Sequence, residues 1–174
     1  MLLCPVRKPS SGFTLIEVVV VTIIIGVVAA ISAPNFIGLL RRNQIAEAIG
    51  SIEGAVKEGQ KQAERNGDSC TLTIDAALDQ VTGNCLLEPR VLRNNIQLNS
   101  NASTLIFSGK GTATPQDSAT PANTLPTAVL VVDLPAETNS RRCLVVNSLG
   151  IIKTGEFTAN PTAAGTLIAA NCDT

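Results

Sequence analysis

The sequence predicts an α+β fold in which a long N-terminal helix, its first half suited to a membrane, packs on a small antiparallel β-sheet. Three observations carry this. An uncharged apolar run occupies Val18–Ala33, an apolar period of three to four residues continues from it to Arg65, and beyond Asn66-Gly67 the pattern changes to short β-like runs separated by turn residues. The 174-residue length leaves room for one compact domain and one membrane element.

Composition agrees. The chain is 45% hydrophobic yet only 2% aromatic, with no Trp, Tyr or His, and its mean hydropathy is +0.28. The excess of Val and Ile is concentrated in the N-terminal run. Without His, the commonest general base and zinc ligand is missing, so hydrolytic or metal chemistry would rest on carboxylates, Lys or Cys. A formal net charge of −1 gives no broad footprint for nucleic acid.

Segment 1–12 carries Arg7 and Lys8 and ends in the small pair Ser11-Gly12. Basic residues ahead of an apolar run stay on the cytoplasmic side. Segment 13–33 is about 20 residues long, enough for a helix of roughly 30 Å, one hydrocarbon core. Its β-branched residues are modest helix formers in water, but lipid leaves each backbone group no partner outside the helix. An ordinary secretory signal would be cut after the run, near Val28-Ala29-Ala30 or Ser32-Ala33. Glu17 inside the run and the helical pattern beyond it oppose that reading.

Glu17 is the most informative residue. A carboxylate in an apolar span is costly and needs a partner. Cleavage between Gly12 and Phe13 would create one, the new α-amino group of Phe13.

The run Lys8-Pro9-Ser10-Ser11-Gly12-Phe13-Thr14-Leu15-Ile16-Glu17 resembles the leader of type IV prepilins and type II secretion pseudopilins. The resemblance implies cleavage after Gly12 by a prepilin peptidase that also N-methylates Phe13. It further implies a pilin-like fold and a role for Glu17 in aligning subunits. Its other implied partners are pilin or pseudopilin subunits. The implied location is the bacterial inner membrane, crossed once, with the C-terminal head in the periplasm or outside the cell.

Segment 34–65 reads as the amphipathic continuation of the helix. Phe36, Ile37, Leu40, Ile45, Ile49, Ile52 and Val56 form one stripe, charges from Arg41 onward mark the emergence into water, and Glu53 precedes Lys57 in the favourable i,i+4 order. Pro34 removes one backbone hydrogen bond and should kink the helix, as a tolerated irregularity or as a hinge used in assembly. A Pro at this distance from the cleavage site is common in the family.

Segment 66–174 is the expected β-rich head. Its candidate strands are 71–74, 96–98, 104–107, 128–133, 143–147 and 150–153, with 109–126 as a long exposed loop. Thr104–Thr112 and Arg142–Gly150 resemble paired strand motifs of the minor pilins and minor pseudopilins. That subgroup caps or initiates the filament.

Removing the leader takes Cys4 with it and leaves Cys70, Cys85, Cys143 and Cys172, an even set suited to disulfides outside the cytoplasm. Of three connectivities, Cys70–Cys85 with Cys143–Cys172 is favoured because each closes a modest local loop. A metal site lacks both a CxxC pair and His. Acylation of Cys4 lacks any signal region upstream. Gly109-Lys110-Gly111-Thr112 lacks the first Gly of a phosphate loop and reads as a turn. Asp75, Asp79, Asp133 and Asp173 read as solvated surface, and Asn101-Ala102-Ser103 fits a glycosylation acceptor pattern that arises by chance.

No catalytic or cofactor-binding constellation emerges, so the chain is expected to be a non-catalytic subunit of a pilus or pseudopilus. The competing reading is a minor pilin that captures DNA. Its candidates are Arg141, Arg142 and Lys153. In the head, Asp68, Asp75, Asp79, Glu88, Asp117, Asp133, Glu137, Glu156 and Asp173 outnumber Arg90, Arg93, Lys110, Arg141, Arg142 and Lys153, which disfavours nucleic acid.

Overall fold

The computed structural model describes residues 12–174 except Asn94, Ala136 and Ala164, and gives no side-chain account of 32–35 or 137–139. Arg7, Lys8 and Cys4 of the expected leader lie outside the described residues. The chain divides into two compact units, one ending at Leu40 and one running from Arg41 to Thr174.

Helix α1 covers Leu15–Asn66, 52 residues, and passes through both units. In the first unit it is apolar except for Glu17 and a few small polar residues, and Leu15, Ile16, Ile23, Ile25 and Ile31 are all exposed. Taken singly, neither Leu15–Ile31 nor Phe36–Asn66 is long and apolar enough to cross a membrane. The two meet the requirement together. A span over 13–33 therefore remains an inference from the sequence.

In the second unit the same helix buries Ile45, Ala48, Ile49, Ile52, Ala55, Val56 and Ala63. Their spacing of three and four gathers them on one face. The stripe expected from Phe36 onward thus splits. Phe36, Ile37 and Leu40 stay exposed, and the buried part begins at Ile45. Positive φ at Gly67 lets the chain leave the helix.

Among the described residues ten strands follow: β1 (Cys70–Asp75), β2 (Gln80–Gly83), β3 (Arg90–Val91), β4 (Gln97–Ser100), β5 (Ala102–Phe107), β6 (Ala113–Asp117), β7 (Thr127–Leu134), β8 (Glu137–Asn147), β9 (Ile152–Phe157) and β10 (Cys172–Asp173). They form two five-stranded sheets, β3-β2-β1-β5-β6 and β10-β9-β8-β7-β4, and the pairings are antiparallel. One small sheet was the expectation. The division arises at Asn101, between β4 of one sheet and β5 of the other. Its side chain accepts from the Val129 amide at 2.7 Å and donates to the Thr127 carbonyl, satisfying backbone that the changeover leaves without ladder partners. Asn101 is structural.

The expectation of a loop over 109–126 is corrected, since β6 lies inside it. The strand carries Pro115 and polar residues, so its pattern is weak, and pairing with β5 decides its conformation. The strand expected from 150 begins instead at Ile152, because Gly150 has φ +80 and belongs to a turn.

Two cores result. The larger lies between α1 and both sheets, with Leu72, Leu105, Phe107, Leu130, Leu144 and Val146 facing the helix. Burying each such side chain contributes about 1.5–3 kcal/mol. The smaller lies on the other face of the second sheet, where Val129, Val131, Cys143, Phe157 and Cys172 sit against Leu167 and Ala169 of the C-terminal segment. Disulfides join Cys70 to Cys85 and Cys143 to Cys172, with Cα atoms 5.7 and 6.0 Å apart. The first ties β1 to the loop after β2. The second holds the C-terminal segment over the smaller core.

Gln60 locks the helix to both sheets. Its amide donates to Gly111 O at 3.0 Å, in the β5–β6 turn, and to Gly150 O at 2.9 Å, in the β8–β9 turn. The turns touch so closely that a Cβ on Gly150 would lie 1.9 Å from Gly111 O. Gln60→Leu should therefore leave two carbonyls unpaired and cost about 1–3 kcal/mol. In urea unfolding the midpoint should fall while the slope stays unchanged.

Candidate functional site

The functional candidates fall at three places. The first is the start of α1. Phe13 is 80% exposed and non-helical, directly after Gly12. Thr14 caps the helix, its Oγ1 accepting from the Glu17 amide at 3.3 Å. Glu17 thus occupies the first turn, where a carboxylate favours the positive end of the helix dipole. Thr14-Leu15-Ile16-Glu17 is a capping pattern legible in the sequence, and it gives Glu17 a local structural role beside any intermolecular one. Pro34 lies among residues without a side-chain description, so its hinge role rests on the sequence.

The second place is the junction of the two strand motifs. Segments Thr104–Thr112 and Arg142–Gly150 meet at the Gly111 and Gly150 turns, with the Ala113 amide donating to Ser148 O at 3.1 Å and Gln60 fixing both. Ser108 and Thr112 close the first turn through their hydroxyls, 2.7 Å apart. Lys110 is at its tip, so the segment is a hairpin turn. Gln60 carries no sequence signal, because a lone Gln on a helix reads as surface.

The third place is the basic pair on β8. Arg142 is ion-paired with Glu156 of β9 at 3.3 Å, directly opposite in register. Lys153 pairs in register with Val145, which strand alternation places on the other face from Arg142. Arg141 donates to Ala159 O at 2.9 Å, and its buried Nε has no hydrogen-bond partner among the described residues. The three candidates for DNA contact therefore do not converge. Arg42 approaches instead, and Arg42, Ile45, Ser140, Arg141, Arg142 and Glu156 line a cavity of about 300 Å³.

Asp133 corrects the expectation of solvated acids. It is 5% exposed and accepts from Asn99 Nδ2 at 3.0 Å. Burial pushes its carboxyl above the ordinary 3.8, against the opposing pull of Arg141 and the Asn99 hydrogen bond, and Asp79 adds to the rise. The folded state then holds this proton more tightly than the unfolded chain. Stability from this group is present below the ordinary value and is lost as pH rises through the folded value.

Among the described residues no group of three His, Cys, Asp or Glu converges as metal ligands would.

The family model of the prokaryotic N-terminal methylation motif matches residues 7–33. Fimbrial protein EcpC of Eikenella corrodens is 42% identical over 55 residues, 30% of this chain and 36% of that protein. A fimbrial protein of Pseudomonas aeruginosa is 36% identical over 61 residues, 31% of this chain and 40% of that one. The chain thus spans well under half the length of the curated relatives it matches. The crystal structure of the type IV minor pilin FimU of Pseudomonas aeruginosa aligns with a TM-score of 0.51 at 13% identity, over 64% of this chain and 88% of that one. The chain therefore carries the N-terminal signature of type IV prepilins on an α+β pilin fold.

The buried carboxyl yields a test. Asp133→Asn should raise stability at pH 7 relative to the parent chain, with the difference shrinking toward pH 4, as read by thermal unfolding across that range.

Proposed function

We propose that the chain is a non-catalytic filament subunit of a type IV pilus or a type II secretion pseudopilus, cleaved after Gly12, N-methylated on Phe13 and assembled through α1. The observation that carries this reading is the first unit of the helix. Apart from Glu17 it carries no charge, its described large apolar side chains are exposed, and it follows directly on the cleavage motif. A helix apolar all round belongs in lipid or among other helices. Before assembly the bilayer would cover it. In the filament the helices of neighbouring subunits would do so, with the head in the periplasm or outside the cell.

Glu17 fits this reading through charge. Cleavage places an α-amino group four residues before it, and in an apolar helix core a carboxylate is stabilised by an amino group of the next subunit. A minor position in the filament is supported by the resemblance of Thr104–Thr112 and Arg142–Gly150 to minor-subunit motifs. DNA capture gains no support from the head, since Arg142 is neutralised by Glu156 and Lys153 lies on the other face.

Coexpression with a prepilin peptidase tests processing by N-terminal mass analysis of membrane extracts. The expected product begins at methylated Phe13, and an intact N-terminus or cleavage near Ala33 would overturn the proposal. Glu17→Ala should still be processed but should fall at least tenfold in the sheared filament fraction.

A further inference from the structure

The chain carries a net charge of −1, yet three arginines gather at one place. The cavity of about 300 Å³ beside β8 is walled by Arg42 and the buried Ile45 of α1, by Ser140, Arg141 and Arg142 of β8, and by Glu156 of β9. Glu156 is the one acid on this wall among the described residues, and it lies 3.3 Å from Arg142. Their side chains are 73% and 46% exposed. An ion pair so open to water is weak and does not hold Arg142 against a competing anion. The other acid close enough to act on Arg141 is Asp133, which is buried and takes a hydrogen bond from Asn99. Even with both acids ionised, the guanidinium groups outnumber them.

Arg141 adds an independent observation. Its Nη1 donates to Ala159 O at 2.9 Å, while its Nε is buried and has no hydrogen-bond partner among the described residues. A buried N–H without an acceptor bears its full desolvation cost, and native structures pair nearly all such groups. An oxyanion in the adjoining cavity would supply the acceptor.

Position along the chain selects the anion. Phe36, Ile37, Leu39 and Leu40 are exposed on α1, and Arg42 follows Leu40 by two positions. Where an apolar helix leaves the hydrocarbon core, the next layer holds lipid headgroups, and basic side chains placed there attract anionic ones. Guanidinium groups suit phosphate because their planar fork donates two parallel hydrogen bonds. A nucleic-acid backbone is the other common source of phosphodiesters. It is favoured by a longer basic track with aromatic faces, whereas this chain is 2% aromatic and Lys153 lies on the opposite face of the sheet from Arg142.

We propose that Arg42, Arg141 and Arg142 form a site for the phosphate of one anionic phospholipid headgroup, which ties the head to the bilayer surface. Arg142 exchanges Glu156 for the phosphate, and Arg141 gains an acceptor. The site rests on the reading of α1 as a membrane helix and adds to it a lipid-specific contact of the head.

The test uses the full-length chain in a neutral maltoside detergent, offered phosphatidylglycerol or phosphatidylcholine of equal, short chain length. Native mass spectrometry counts the lipid retained. One phosphatidylglycerol per chain is expected, at least tenfold over phosphatidylcholine. Arg42→Gln, at an exposed helix position, should cut this retention at least fivefold without lowering the thermal midpoint, and Lys153→Gln should leave it unchanged. Glu156→Gln should raise it at least twofold, a gain that misfolding cannot produce. Equal retention of the two lipids, or equal retention of phosphatidylglycerol by the parent chain and Arg42→Gln, overturns the site. Inorganic phosphate offered alone separates the two sources of the group. A phosphate adduct without any preference for phosphatidylglycerol identifies a free-anion site and overturns the lipid assignment. Absence of the chain from membranes and sheared filaments overturns the reading of α1 alone, because retention in detergent still decides the site.

Discussion

Both sheets of the head depend on one helical face for their inner core. Ile45, Ile49, Ile52 and Val56 share one core with Leu72 and Leu105 on one sheet and Leu130 and Leu144 on the other. Because burial of apolar area is non-directional, it draws helix and sheets together without fixing their register. Directional groups supply that. Gln60 reaches a turn of each sheet, and Asn101 sits where the chain passes between them. Two amide side chains thereby convert a general apolar attraction into one arrangement.

The same helix has two surface characters. From Ile45 onward it is amphipathic and completes a water-soluble head, whereas up to Leu40 its large apolar side chains remain exposed. A soluble domain would not carry such a surface, since patches far smaller already mark interaction sites. The exposed half is the constraint behind the proposed assembly. The paired cysteines fit a head that works outside the cytoplasm, where each disulfide holds an edge segment that has little core of its own.

Much of the architecture was legible because periodicity is a direct imprint of burial. The extent of the helix, the Asn66-Gly67 stop and most strands could be read from apolar spacing. Misses occurred where residues took their conformation from a partner. Strands β2, β3 and β10 are short, β3 and β10 lie at sheet edges, β6 contains Pro115, and Gly150 has φ +80 in a turn packed against Gly111. Asp133 was read as surface because burial of an acid leaves no mark in a one-dimensional pattern.

By itself the sequence determined the leader motif, the apolar half of the helix, the amphipathic half and the β-rich head, since each is written in residues close together along the chain. Only the tertiary structure decided the split into two sheets and the bridging roles of Gln60 and Asn101. It also decided the pairing of Arg142 with Glu156. Those features depend on contacts between residues far apart in the chain, and hydrogen bonds and ion pairs of that kind follow from geometry that no local spacing encodes.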